Sequence, residues 1–196
     1  MAQGATPEMS RVSRLDILAI GEPMVEFNQT RPGDPQYLQG YGGDTSNMII
    51  AAARGGARAG YVTRIGDDEF GRLFLALWRA EGVDTRGVAV DPAAHTGVYF
   101  VSHGPQGHAF SYLRAGSAAS RMQPADLPLD MIRAAKFVHA SGISMAISAS
   151  AADTVLAAFE AARAAGAKVS FDSNLRLKLW PIARARAMIG AQSARA

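Results

Sequence analysis

The chain has 196 residues, 48% of them hydrophobic and 19% charged, which is enough to bury one core of ordinary size. Its 20 basic and 17 acidic residues are scattered without runs of like charge, so the net charge of +3 does not favour nucleic acid as a partner. With no cysteine there is no disulfide framework, thiolate nucleophile or thiolate zinc site, and a cytoplasmic location is expected.

Residues 1–14 mix Gly, Pro, Ser and charges with no apolar block; they read as a disordered start and lack the core of a secretion signal. No stretch approaches the roughly 18 apolar residues a transmembrane helix needs, so no membrane partner is expected. The rest, 15–196, reads as one α/β domain. Residues 15–21 form a short apolar run ending in Gly21, the pattern of a strand buried in a parallel sheet. Ligands of such sheets gather at the carboxyl ends of strands, and Glu22 and Glu26 follow there. Arg31-Pro32-Gly33-Asp34-Pro35 is turn chemistry in the middle of 27–41, which therefore reads as a β-hairpin lid.

Gly42-Gly43-Asp44-Thr45-Ser46-Asn47 comes next, ahead of an apolar helical run over 48–54. Paired glycines let backbone amides approach a ligand, and Asp44, Thr45 and Ser46 are N-capping residue types. The positive end of a buried helix would then face a sugar hydroxyl or a carboxylate. Residues 59–65 read as a second core strand. Residues 68–80 read as a helix with Phe70, Leu73, Phe74, Leu77 and Trp78 on one face, so Trp78 belongs to the core. A short strand is expected over 88–90.

The runs 97–101 and 109–114 flank a Gly- and Pro-containing connection and read as a second lid hairpin, 97–114. Alternation puts Phe110, Tyr112 and Arg114 on one face, where an aromatic ring and a guanidinium fork suit the apolar face and the carboxylate of a sugar acid. An exposed hairpin with a solvated Arg is the competing reading. The four histidines lack ligand spacing, so no metal site is assigned to them. Beyond a Pro-containing loop, a strand (137–142), a helix (151–165) and a strand (167–171) lead to Asp172-Ser173-Asn174-Leu175-Arg176. This succession argues a doubly wound sheet with right-handed crossovers. The three lysines follow Ala or Leu, so there is no P-loop; no Gly-x-Gly-x-x-Gly opens a helix, and 142–146 lacks the last Gly of a nucleophile elbow.

Gly42-Gly43, the polar spacer, Asn47, an alanine-rich helix, Gly55-Gly56, a strand and then Gly66-Asp67-Asp68-Glu69-Phe70-Gly71 together resemble the first signature of the ribokinase-like (PfkB) carbohydrate kinases. Within that family, Tyr112-x-Arg114 followed by Gly116-Ser117-Ala118, Ser141-Gly142-Ile143-Ser144 and Asp172-x-Asn174-x-Arg176 are similar to 2-keto-3-deoxygluconate kinases. The resemblance implies a ribokinase-like, mainly parallel sheet with a small lid, truncated at the C-terminus. It implies phosphoryl transfer from ATP, accompanied by Mg2+, to the terminal hydroxyl of a sugar acid. It assigns substrate binding to Gly42, Gly43, Asn47, Tyr99, Tyr112, Arg114 and Arg176, cofactor binding to Asn174 and Arg176, and suggests a homodimer through the lid. Helix capping is the competing role for Asn174.

The family's Gly-Ala-Gly-Asp turn, which holds the catalytic base, and its Asn-x-x-Glu magnesium motif do not occur in these 196 residues, so no catalytic or metal-binding residue is assigned. Two expectations stand. One is a sugar-acid kinase completed by residues outside this sequence; the other is a non-catalytic sugar-binding remnant or inactive fragment.

Overall fold

The computed structural model describes residues 14–193, with side chains to residue 190. The expected irregular start therefore lies, apart from Arg14, outside the described residues. Five parallel strands form the main sheet in the order β5-β4-β1-β8-β9, where β1 is Ile17–Ile20, β4 Ala59–Gly66, β5 Asp84–Asp91, β8 Phe137–Ser141 and β9 Lys168–Asp172. Its central strand is the first one predicted. Because alternate residues of a strand face opposite sides, β1 serves two cores: Leu18 and Ile20 join one buried cluster, Ala19 the other.

The first cluster packs α5 (Ala149–Ala164), through Val155, Ala158, Phe159 and Ala162, with Val138 and Trp180. The second packs Ile49 and Ile50 of α1 (Asp44–Arg54) and Phe74 and Trp78 of α2 (Glu69–Ala80) against Tyr61 and Ile65. Helices thus cover both faces, as expected for a doubly wound sheet. The indole of Trp78 packs on Phe74 and Tyr61, and its Nε1–H donates to Ser46 Oγ at 3.0 Å, so this large side chain is both fully buried and satisfied.

Three boundaries differ from the sequence reading for physical reasons. Helix α1 begins at Asp44, four residues before the apolar run. The residues expected to cap it instead form its first turn: Thr45 Oγ meets the Tyr61 hydroxyl at 2.9 Å and Ser46 accepts from Trp78, while Gly43, at φ 101, is the N-cap. Strand β5 extends over eight residues because Asp84 and Arg86, expected as loop, pair with each other on its exposed side. Helix α6 (Ile182–Ser193) covers residues for which no element was expected.

Both predicted hairpins are present, the first extending beyond its expected bounds at each end and the second stopping one residue short, at Leu113. They are β2 (Met24–Gln29) with β3 (Tyr37–Gly42), and β6 (Gly97–Gly104) with β7 (Gly107–Leu113). Their inner strands β2 and β6 pair in parallel, giving one four-stranded sheet in the order β3-β2-β6-β7. A lone two-stranded ribbon is marginal in water; joining the two removes both inner edges. This second sheet stands over the carboxyl edge of the main sheet and so defines a cleft.

Candidate functional site

The floor of the cleft is built where β1, β8 and β9 end. Gly21 lies there because a Cβ would stand 2.2 Å from Thr45 Oγ1, so α1 can approach only a glycine. The left-handed N-cap Gly43 sends α1 away from the floor, with Asp44 and Asn47 in its first turn. After β9 the chain turns through Asn174, which has the positive φ of 23° that Asn tolerates better than most residues. Its backbone N–H donates to Asp172 Oδ1 at 3.0 Å and its side-chain amide to Asp44 Oδ2 at 2.9 Å. Asn174 therefore ties the post-β9 loop to the start of α1.

The roof is the inner face of the lid. By register Glu26, Tyr99 and Tyr112 form one row across three strands. Tyr99 stacks on Tyr112 at 5.8 Å between ring centroids, and Phe110 stacks on Tyr112 at 6.3 Å. The Tyr99 hydroxyl donates to Glu26 Oε2, and burial together with that carboxylate pushes its pKa well up, so it stays a neutral donor. Arg114, just past β7, lies 5.8 Å from the centre of the Tyr112 ring.

Between floor and roof is a cavity of about 670 Å³, a volume suited to a small molecule. Of the residues singled out in sequence, Gly43, Asn47, Tyr99, Tyr112, Arg114, Asn174 and Arg176 all line it. Gly42 does not. A Cβ there would stand 2.5 Å from the Tyr99 hydroxyl, so Gly42 makes room for that ring. Glu26 also stays outside the lining, occupied by Tyr99 and Asn28. Arg176 is exposed and donates to the carbonyl of Leu175 at 3.1 Å.

Arg114 is not the free fork that the sequence suggested. Its Nη2 donates to Glu22, a carboxylate 3% exposed on the β1–β2 turn, whose Oε1 also accepts from Ser117 Oγ at 2.5 Å. Burial pushes the Glu22 pKa up despite Arg114 and Ser117, which pull it down. Meanwhile Arg114 Nε is buried without a hydrogen-bond partner. Glu22 and Lys178 are charged lining residues that sequence reasoning did not assign, and so is Asp44, read there only as a capping type. The position of Glu22 directly after Gly21 at a strand end was the available signal for the first; nothing marked the second.

Among the described residues no three His, Asp or Glu side chains converge on a metal-sized site, and Asp44 Oδ2 is already held by Asn174. Among the described residues no helix is long and apolar enough to cross a membrane.

A family profile described as pfkB family carbohydrate kinase matches residues 14–193. The chain is 39% identical to a 2-dehydro-3-deoxygluconokinase of Thermoproteus tenax, over 96% of this chain and 58% of that protein. It is 38% identical to a fructokinase-2 of Solanum habrochaites, over 85% of this chain and 52% of that one. Its fold superposes on the crystal structure of a PfkB protein from Polaromonas sp. JS666 with TM-score 0.88 at 36% identity, covering 93% of this chain and 64% of the other. A fructokinase with bound ATP from Xylella fastidiosa gives TM-score 0.79 at 31% identity, covering 84% and 50%. The chain thus spans between 50% and 64% of the length of these four proteins.

Proposed function

Since the chain belongs to the pfkB family of carbohydrate kinases, we propose that it carries the sugar-binding part of an ATP-dependent kinase acting on the terminal hydroxyl of 2-keto-3-deoxygluconate or a related sugar acid. The observation that carries this reading is Arg114: a guanidinium on the cavity wall, beside the stacked Tyr99 and Tyr112, with a buried Nε–H that has no acceptor. A bound carboxylate or keto oxygen would pair with the guanidinium, while the tyrosine faces would cover the carbon chain. Gly43 and Asn47 would hold hydroxyls from below, with Arg176 completing recognition of the acid end.

ATP would supply the phosphoryl group, with Asn174 and the cations of Arg176 and Lys178 on the side of the cavity toward its phosphates. The work of such a site is positioning and charge stabilisation, and no step is assigned to a metal. We place the protein in the cytoplasm and its homodimer contact on the lid, where Leu38 and Phe110 are exposed; light scattering would show a monomer if that contact is wrong.

A second reading, a neutral ketohexose as substrate, is favoured by the Glu22–Arg114 pair, which already neutralises the guanidinium, and is in keeping with the similarity to fructokinases. Titration calorimetry separates the two. The first reading expects 2-keto-3-deoxygluconate to bind more tightly than fructose and to lose affinity on Arg114→Ala; equal affinities, or no loss in the variant, would reject it.

A further inference from the structure

Glu22 and Arg114 form a buried ion pair whose basic member faces the sugar cavity. The Arg114 side chain is 12% exposed and that of Glu22 1%. One guanidinium can neutralise one carboxylate. A neutral sugar would meet a pair whose charges cancel. A sugar acid brings a second carboxylate to the same guanidinium, and in a site of low dielectric two adjacent carboxylates sharing one cation do not both stay ionised.

We propose that Glu22 determines the charge specificity of the cavity: a sugar acid takes over Arg114, and Glu22 accepts one proton from solvent in exchange, whereas a neutral sugar binds with no change in protonation. This rests on the sugar-binding reading given above. The proton goes to a Glu22 oxygen, no covalent bond of the sugar changes, and the incoming proton offsets the charge of the incoming carboxylate, so the occupied site is neutral.

The groups acting on Glu22 agree with this direction. Arg114 and Ser117, from the segment after β7, favour its ionised form, but burial outweighs them. Asp44, from the first turn of α1, adds a repulsive negative charge. The Tyr61 hydroxyl of β4, coupled to both carboxylates and bonded to Thr45, is held protonated by its burial and provides no compensating charge. Little space exists for relief by movement, because a Cβ at Gly97 would stand 3.0 Å from Glu22 Oε1.

The test is titration calorimetry of the full chain with 2-keto-3-deoxygluconate and with fructose, each at one pH in two buffers of different ionisation enthalpy. At a pH high enough for Glu22 to be ionised in the free protein, close to one proton should be taken up per sugar acid bound and none per fructose. Sugar-acid affinity should fall by about tenfold per pH unit once Glu22 is ionised in the free protein. In Glu22→Gln both the proton uptake and that slope should vanish. Sugar-acid binding without proton uptake, or with the same uptake in Glu22→Gln, overturns the exchange while leaving the sugar site intact. Failure of both sugars to bind overturns the sugar-binding reading itself, and the exchange with it. If the variant does not fold, the two-buffer comparison on the unaltered chain still decides.

Discussion

Asp68 Oδ1 accepts from Gly71 N at 2.7 Å and from Thr96 Oγ1 at 2.8 Å, while Oδ2 accepts the Thr96 N–H at 2.7 Å. One carboxylate therefore caps α2 and fixes the entry to β6, and the Thr96 hydroxyl in turn accepts from Gly66 N at 2.9 Å. Burial pushes the Asp68 pKa up, but these backbone and hydroxyl donors outweigh it and hold the group below its usual range. The glycines on either side are dictated by the same knot: a Cβ would lie 2.6 Å from the Ala94 carbonyl at Gly66 and 2.3 Å from the Gly66 carbonyl at Gly71. Asp68→Ala should destabilise the chain by about 2–4 kcal/mol, the sum of a lost cap and an orphaned buried N–H. Asp67→Ala, which loses only an exposed contact to Arg72, should stay within about 0.5 kcal/mol. Urea midpoints of the two variants compare them directly, and similar values would show that the knot carries no stability.

Gly42 and Tyr99 give a prediction about binding without touching a charge. An alanine at 42 would place its Cβ 2.5 Å from the Tyr99 hydroxyl and 2.6 Å from the ring. The ring must shift, and its stack on Tyr112 and its bond to Glu26 go with it. Sugar affinity in Gly42→Ala should drop by about 2- to 12-fold, comparable to losing an aromatic contact of roughly 0.5–1.5 kcal/mol. Tyr99→Phe keeps the stack and should lose less. A Gly42→Ala chain that binds sugar normally would mean the tyrosine pair is not part of the site.

How legible this was differs by element. Strand β1 and the face of α2 were readable because burial writes itself as uninterrupted apolar runs and as 3.6-residue spacing; Leu18, Ile20, Phe74 and Trp78 all end up fully buried. The start of α1 was misplaced because Thr45 and Ser46 are capping types by habit, yet here their hydroxyls serve Tyr61 and Trp78, partners 16 and 32 residues away. That Tyr112 and Arg114 share a face was readable from alternation, whereas their place beside a ligand was implied only by the family resemblance. What alternation does not encode is that Arg114 would meet Glu22, 92 residues earlier, and change from a free fork into half of an ion pair. That the two hairpins would pair was foreseeable because lone ribbons are marginal, but which strands would meet, and in the parallel β2–β6 register, was not written in either hairpin.

His139, paired across β8 and β9 with Ser170, is expected to contribute to the acid response of the fold. It is 8% exposed, with Nδ1 2.9 Å from Ser170 Oγ, and burial lowers its pKa despite the opposing pull of Asp44 and Asp172. A histidine held below its unfolded value of about 6.5 favours folding above that pH, and the contribution is lost as pH falls through the lower folded value. Stability measured from pH 7.5 down to 5 should therefore decline more steeply in the unaltered chain than in His139→Gln. Parallel declines would mean that the imidazole charges freely in the folded state.

The 196-residue chain by itself is expected to bind sugar and not to phosphorylate it at a useful rate. The carboxylates near the cavity are committed elsewhere: Glu22 to Arg114 and Ser117, Asp44 to Asn174, Glu26 to Tyr99. No Gly-x-Gly-Asp turn follows β9 in this sequence to provide a base and anion-stabilising amides. A general base is worth about 10²–10⁴-fold and an oxyanion donor roughly 10²–10³-fold, so a site without either is slower by many orders of magnitude. Strand β9, paired among the described residues only with β8, also leaves one ladder edge open, which should favour association of the isolated chain. A coupled ADP-release assay with 2-keto-3-deoxygluconate, ATP and magnesium, run on monodisperse chain, checks this. Robust turnover would place the base within these residues, and Asp172, exposed at the carboxyl end of β9, would be the first to replace, because its Oδ1 is engaged only by the neighbouring Asn174 N–H.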